Sequence, residues 1–231
     1  MAYHPILRFE DVSFSYSSRT GELLSKINIH FSTGWTGIVG PNGTGKTTLL
    51  LLACGKLRPD LGFIAMPDLS SYCPQRTDDP PEGVKPLMAA SDRNSLILKA
   101  DLDLRQEDLL RWETLSYGER KRFQIAAALY GQPDLLALDE PTNHLDSDTR
   151  SLLYRALKKY KGIGLLVSHD RELLDNLCGE CVFINPPTAI LRPGNYSSGA
   201  EQGRLEKDSA MKRYNDARDK LDKIEREHAR R

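Results

Sequence analysis

At 231 residues the chain can bury one substantial core, with room for a small appended subdomain, and needs neither disulfides nor a structural metal to fold. Its 32 basic and 32 acidic side chains cancel, so overall charge directs it to neither nucleic acid nor membrane, and any such partner must be met by a local patch. The longest apolar runs, LLLLAC from Leu49 to Cys54 and IAAAL from Ile125 to Leu129, fall far short of the roughly 18 residues that cross a bilayer.

MAYHPILRFE at the start lacks the basic and apolar regions of a secretory signal, so the expectation is a cytoplasmic protein, without membrane insertion, whose four cysteines stay reduced. Cys178 and Cys181 form one Cys-x-x-Cys, but zinc requires about four ligands and no second pair stands nearby. Both read as small buried hydrophobes.

From Leu7 to Ile38 apolar and polar residues alternate, in LRFEDVSFSY and INIHFS, around the turn-prone SSRTGE. Period-two alternation predicts antiparallel strands, an N-terminal antiparallel β subdomain. The pattern then changes to strand followed by helix: WTGIVG with KTTLLLLAC, DLLALDE with SDTRSLLYRALKKY, and GIGLLVSH with DRELLDNLC. Such repeats predict an α/β fold with a mostly parallel sheet covered by helices. Between them, Arg76 to about Arg111 opens with RTDDPPEGVKP and reads as a small helical insertion, the helical region running over about 76–131.

The main domain is expected over 1–198 and the start of a charged helical linker over 199–231. From Glu201 onward the tail has no proline and carries 18 charges in 31 residues. Its sparse apolar positions, Tyr214, Ala217, Leu221, Ile224 and His228, advance by three or four, as on one long helix with a narrow seam.

GPNGTGKT, Gly40 to Thr47, fits Gly-x-x-x-x-Gly-Lys-[Ser/Thr] and lies between an apolar strand and an apolar helix, the context that this phosphate-binding pattern requires. The predicted cradle is Gly40, Pro41, Asn42, Gly43, Thr44, Gly45, Lys46, Thr47 and Thr48. Its glycines let backbone N–H groups converge on phosphate oxygens, and the helix N-terminus adds the positive end of a dipole. Lys46 neutralises β/γ charge and Thr47 offers a hydroxyl to Mg²⁺; ATP with Mg²⁺ is the expected ligand. LLALDEPTNHLD, Leu135 to Asp146, then acquires a meaning. A strand-end acid, Asp139, can hold the magnesium shell while the next carboxylate, Glu140, positions the attacking water.

LSYGE at Leu115 to Glu119, followed by RKRFQIAAALYGQPDLLALDEPTNHLD, resembles an ATP-binding cassette (ABC) ATPase domain, and the likeness covers the chain to about Gly194. PTNHLD, then SHDRELLD and a charged helix, resembles more narrowly the first half of an ABC-F protein, a group of tandem ATPases of which many act on ribosomes. The resemblance implies that Tyr16 stacks on adenine and that Gln75 joins the magnesium and water shell at the hinge into the helical insertion. It implies that His169 contacts the γ-phosphate and orders the water on Glu140, and that Asp146 belongs to a loop crossing a dimer interface. Ser116 and Gly118 open a helix whose N–H groups can accept an anion; the resemblance makes that anion the γ-phosphate of a second cassette paired head to tail. Tyr117 departs from the usual glycine, and neither Glu119 nor His144 is assigned a role.

Two functions share this chemistry and differ in what receives the motion. In one, two cassettes closing on ATP move a helical linker against the ribosome and its RNA, in translation or antibiotic protection. In the other, the chain is the ATPase subunit of a membrane transporter. PTNHLD, the short insertion and the basic tail favour the first.

Overall fold

The computed structural model describes residues 5–17 and 21–228, with side chains to residue 215 and at 217 and 218. Alternation sets the first layer. β1 (Leu7–Phe14) buries Leu7 and Phe9 while exposing Arg8. It pairs antiparallel with β2 (Leu24–Phe31), Leu7 opposite Phe31. Its other edge is taken by β4 (Leu61–Ala65), Phe9 opposite Ile64. Alternation in the sequence marks the hairpin but not this third strand, which reaches the sheet only after the phosphate loop and its helix have intervened. Phe9 and Phe31 meet edge to face at 5.6 Å on the inner side.

The second sheet runs β5 (Ser70–Cys73), β6 (Leu135–Asp139), β7 (Ile163–Val167), β3 (Gly34–Val39), β8 (Cys178–Asn185), β9 (Thr188–Pro193). Its first five strands are parallel, as predicted, and β9 returns antiparallel from β8. All five residues of β6 and all five of β7 are buried, which is why these stretches read as unbroken apolar runs. Their alternate side chains feed two cores. Leu135 and Ala137 join the antiparallel layer and α1 (Lys46–Ala53). Leu136 and Leu138 join α4 (Tyr117–Tyr130), α5 (Ser147–Lys158) and the insertion.

The insertion comprises α2 (Val84–Ala89), α3 (Arg93–Asp101) and a 3-10 segment, Gln106–Thr114, kinked at Arg111, before α4 begins. The four cysteines are free, and Cys178 and Cys181 are buried in β8, as small hydrophobes would be.

After β7 come α6 (Arg171–Leu177), the β8–β9 hairpin and α7 (Tyr196–His228). The helix therefore starts ahead of the predicted boundary at 198/199. Gly194 turns the chain with φ +89°, and Asn195 accepts the Ser198 N–H on its side chain and the Gly199 N–H on its carbonyl. The first turns are fastened to the cassette. Asp175 of α6 accepts from the Ser197 N–H and hydroxyl, and Tyr196 stacks on Phe183 at 6.3 Å. Gly199 and Gly203 leave room for the Phe183 ring and the buried Arg192 guanidinium, which pairs with Glu206. Beyond this base, Met211 and Tyr214 are exposed; the predicted seam side chains Leu221, Ile224 and His228 lie outside the described residues. No helix among the described residues is long and apolar enough to cross a membrane.

Candidate functional site

β3 carries the chain to the sheet's C-terminal edge, and the loop Gly40–Gly45 turns it directly into α1. At Gly40 a Cβ would lie 2.7 Å from the Ile184 carbonyl and 2.9 Å from the Thr44 hydroxyl, so only glycine fits. Gly45 stands at the head of α1 with φ +102°, and no side chain caps the helix. Helix N-termini carry unsatisfied N–H groups and a positive dipole end; here they face a cavity. Thr44 and Pro41 shape the loop from within, the Thr44 hydroxyl donating to the Pro41 carbonyl at 2.8 Å. Lys46 folds back over it, Nζ donating to the carbonyls of Gly40 at 2.9 Å and Pro41 at 3.1 Å, with Asn42 Oδ1 at 3.5 Å.

The cavity, about 480 Å³, is lined by Tyr16, Asn42, Gly43, Gly45, Lys46, Thr47, Thr48, Gln75, Asp139, Glu140 and His169, all predicted, together with Leu23, Asn143 and Val167. Asp139, at the end of β6, is buried and accepts two hydroxyls on one oxygen: Thr47 Oγ1 at 2.8 Å and Tyr72 OH at 3.2 Å. Burial and the Asp139 charge push the Tyr72 phenol well up, so it stays a donor.

Glu140 follows in left-handed conformation, φ 49°. Its Oε2 accepts the His169 N–H at 3.3 Å. Oε1 lies 3.2 Å from His169 Nε2, yet that approach is not aligned as a hydrogen bond, and the buried oxygen is left with no hydrogen-bond partner. Burial raises the Glu140 carboxyl above the ordinary range, against the pull of His169 and Lys46. The same histidine nitrogen lies 3.2 Å from Asn42 Oδ1, bridging the phosphate loop and the strand-end acid. At the far end of the cavity the Tyr16 hydroxyl meets Thr48 Oγ1 at 3.1 Å, and the ring is exposed.

Ser116, Gly118 and Asp146 stand outside this cavity. Ser116 caps α4 with a complete capping box: its hydroxyl accepts the Glu119 N–H at 3.2 Å, and Glu119 Oε2 accepts the Ser116 N–H at 2.7 Å. Glu119, assigned no role from sequence, thus closes the box and also meets Arg111 at 3.3 Å. The Ser116 N–H, then Arg111, hold its carboxyl below the usual glutamate range. Gly118 faces Leu145 and, in α5, Thr149, which a Cβ there would meet at 3.4 and 3.5 Å. Asp146 caps α5 by accepting the Thr149 N–H at 2.8 Å.

Two residues near the site carry no motif of their own in the sequence. Tyr72 looks like any strand tyrosine until β5 is known to neighbour β6. Lys121, read only as part of a helix, is fully buried, and burial drives its ammonium down to about 8. Their only signal was proximity in sequence to Gln75 and to Ser116.

The ABC transporter family model matches residues 24–143, slightly more than half of the chain. The Uup-like ATP-binding protein of Haemophilus influenzae is 34% identical over 191 residues, 76% of this chain and 41% of that protein. The energy-dependent translational throttle protein EttA of the same organism is 32% identical over 240 residues, 81% of this chain and 43% of its own. Both are ABC-F proteins, and the chain spans less than half the length of either. A solved structure described as an inward-facing conformation of a putative metal-chelate type ABC transporter superposes with a TM-score of 0.64 at 22% identity, covering 82% of this chain and 84% of that one; it speaks to fold alone. With the phosphate loop and its strand-end acids inside the matched segment, the chain belongs to the ABC transporter family as an ATPase cassette.

Proposed function

We propose that this cassette binds and hydrolyses Mg²⁺-ATP, that a second cassette closes on it head to tail, and that in an ABC-F-type parent protein this closure moves α7 against the ribosome. The observation that carries the hydrolytic reading is Glu140 Oε1, a buried carboxylate oxygen without a hydrogen-bond partner on a cavity wall. An orphaned buried oxygen is costly unless something completes it; a water poised for attack does so.

Thr47, Asp139 and Gln75 are the residues that would hold magnesium, and the hard oxygen donors present suit that ion. Magnesium, when bound, supplies charge neutralisation at the β- and γ-phosphates. The chain's own groups do the rest. Lys46 exchanges the carbonyls of Gly40 and Pro41 for phosphate oxygens, and the uncapped N-terminus of α1 donates its N–H groups. Tyr16 offers its exposed ring to adenine. Glu140 orients the water and draws its proton, and His169 holds Glu140 against the phosphate loop through Asn42. Ser116, Gly118 and Asp146 serve the second cassette's nucleotide, the Ser116 hydroxyl having a proton to donate.

A ribosomal receiver and a cytoplasmic location rest on the likeness to EttA and on the tail, whose residues from Glu201 include ten basic side chains. The test is co-sedimentation of the parent protein with ribosomes across a salt series. Contacts to RNA phosphate make binding fall steeply with salt, and reversing the charge of Lys212, Arg213, Lys220 and Lys223 abolishes it with ATP binding intact. Salt-independent binding, or co-purification with a membrane-spanning subunit, would move the chain to the transporter reading.

A further inference from the structure

The carbonyls of Pro74, Gln75 and Arg76 follow directly on the end of β5 at Cys73, where the strand ladder stops. One face of α4 receives all three. Lys121 Nζ donates to the Pro74 carbonyl at 2.9 Å and the Gln75 carbonyl at 3.0 Å. The Tyr117 hydroxyl donates to the same Gln75 carbonyl at 2.7 Å, and Gln124 Nε2 to that of Arg76 at 3.2 Å. Lys121 also donates to Gln124 Oε1 at 2.8 Å, joining the three side chains. Positions 117, 121 and 124 are i, i+4 and i+7, one stripe of a helix.

A fully buried lysine with no carboxylate among its hydrogen-bond partners is an expensive residue. What satisfies it here is backbone oxygen of one segment, the hinge that carries Gln75. The stripe begins one residue after Ser116, and the Tyr117 ring stands edge-on to His144, in the turn after Glu140, at 6.2 Å.

We propose that Tyr117, Lys121 and Gln124 are positioning residues that make the Gln75 hinge and the Ser116 helix start one rigid unit, so that each cassette's own nucleotide cavity senses what its α4 engages. Tyrosine in place of the usual glycine is then a fastening to the hinge. The inference rests on the reading of Gln75 as part of the nucleotide site. It concerns coupling within the cassette, which is distinct from hydrolysis.

Hydrogen exchange followed by mass spectrometry on the whole chain tests it. In the unliganded protein, Tyr117→Phe removes one hydroxyl and should accelerate exchange at the amides of residues 75–78 by about threefold or more, with β6 and β7 unchanged. At a dilution at which the chain stays monomeric, so that no second cassette's nucleotide can reach α4, added Mg²⁺-ATP should slow exchange at 43–48 and at the hinge in the wild type, and also at 117–120, which the nucleotide in that cavity does not touch. In Tyr117→Phe and in Lys121→Met the protection at 43–48 should persist while that at 117–120 disappears. A merely structural role would not separate the two. Unaltered hinge exchange in Tyr117→Phe, or protection at 117–120 that survives both substitutions, overturns the proposal. Failure of ATP to protect 43–48 in the wild type would sink the nucleotide reading instead, and the unliganded comparison would still decide the clamp.

Discussion

α1 and α4 begin in similar chemistry and end in opposite states. Each has a small residue at its head and a lysine buried among backbone carbonyls. α1 has Gly45 as its cap, no side-chain bond to its first turn, and Lys46 on a cavity wall. α4 has a full capping box, and Lys121 is sealed from solvent. An uncapped helix end beside a cavity is unfinished without an anion, whereas a capped one is complete in the isolated chain. The difference teaches which half of the nucleotide chemistry this cassette holds ready alone. On the proposed reading the other half serves a second cassette.

The comparison breaks most sharply at Glu140. Glu140→Gln keeps the shape and loses the base, so turnover should fall by at least about 100-fold with Mg²⁺-ATP binding retained; steady-state hydrolysis beside nucleotide titration measures both. Wild-type rates would remove Glu140 from the chemistry. Next comes Lys46→Ala. Charge-assisted hydrogen bonds contribute about 1.5–3 kcal/mol, so ATP affinity should drop roughly 10- to 100-fold, read by calorimetry; unchanged affinity would mean that Lys46 never leaves its carbonyls.

At α4 the effects should be on folding. Ser116→Ala removes the acceptor of the Glu119 N–H, which costs about 1 kcal/mol at a helix N-cap and lowers the melting temperature by about 2–4 °C for a domain of this size. No shift would mean that the box is not formed in solution. The smallest effect concerns Glu119. Its folded carboxyl value lies below the ordinary one, so its stabilising contribution is present above about pH 4.3 and is lost as pH falls through the lower folded value. An NMR titration should find its midpoint below 4.3, and Arg111→Ala should raise it part way. A midpoint at the ordinary value would leave the capping carboxylate unheld.

The phosphate loop and the strand-end acids were legible because their constraints are local: Gly40 has no room for a Cβ, and Asp139 and Glu140 sit at the end of a strand whose apolar run is visible. Parallel β6 and β7 were legible for the same reason. β4, β5 and the β8–β9 hairpin were not. β4 exposes Leu61, Gly62 and Phe63 and so breaks alternation, β5 is only four residues long, and β8 is a strand whose pairing with β3 shifts register after Trp35. Tyr72 was invisible because its partner Asp139 is 67 positions away. Glu119 could have been found, since Ser followed by Glu three residues later ahead of an apolar helix is a capping-box pattern.

α7 is 33 residues long, about 50 Å at 1.5 Å per residue, and among the described side chains its contacts with the cassette come from the first turns. Glycines at 199 and 203, the Asp175 anchor and the Arg192–Glu206 pair fix its direction to α6 and to the β8–β9 hairpin, and α6 starts two residues after His169. A rotation of about 10° at that base sweeps the far end through about 9 Å on the same geometry. On the proposed reading, displacements of ångström size beside the nucleotide would leave the cassette as strokes several times larger, with mechanical advantage set by helix length.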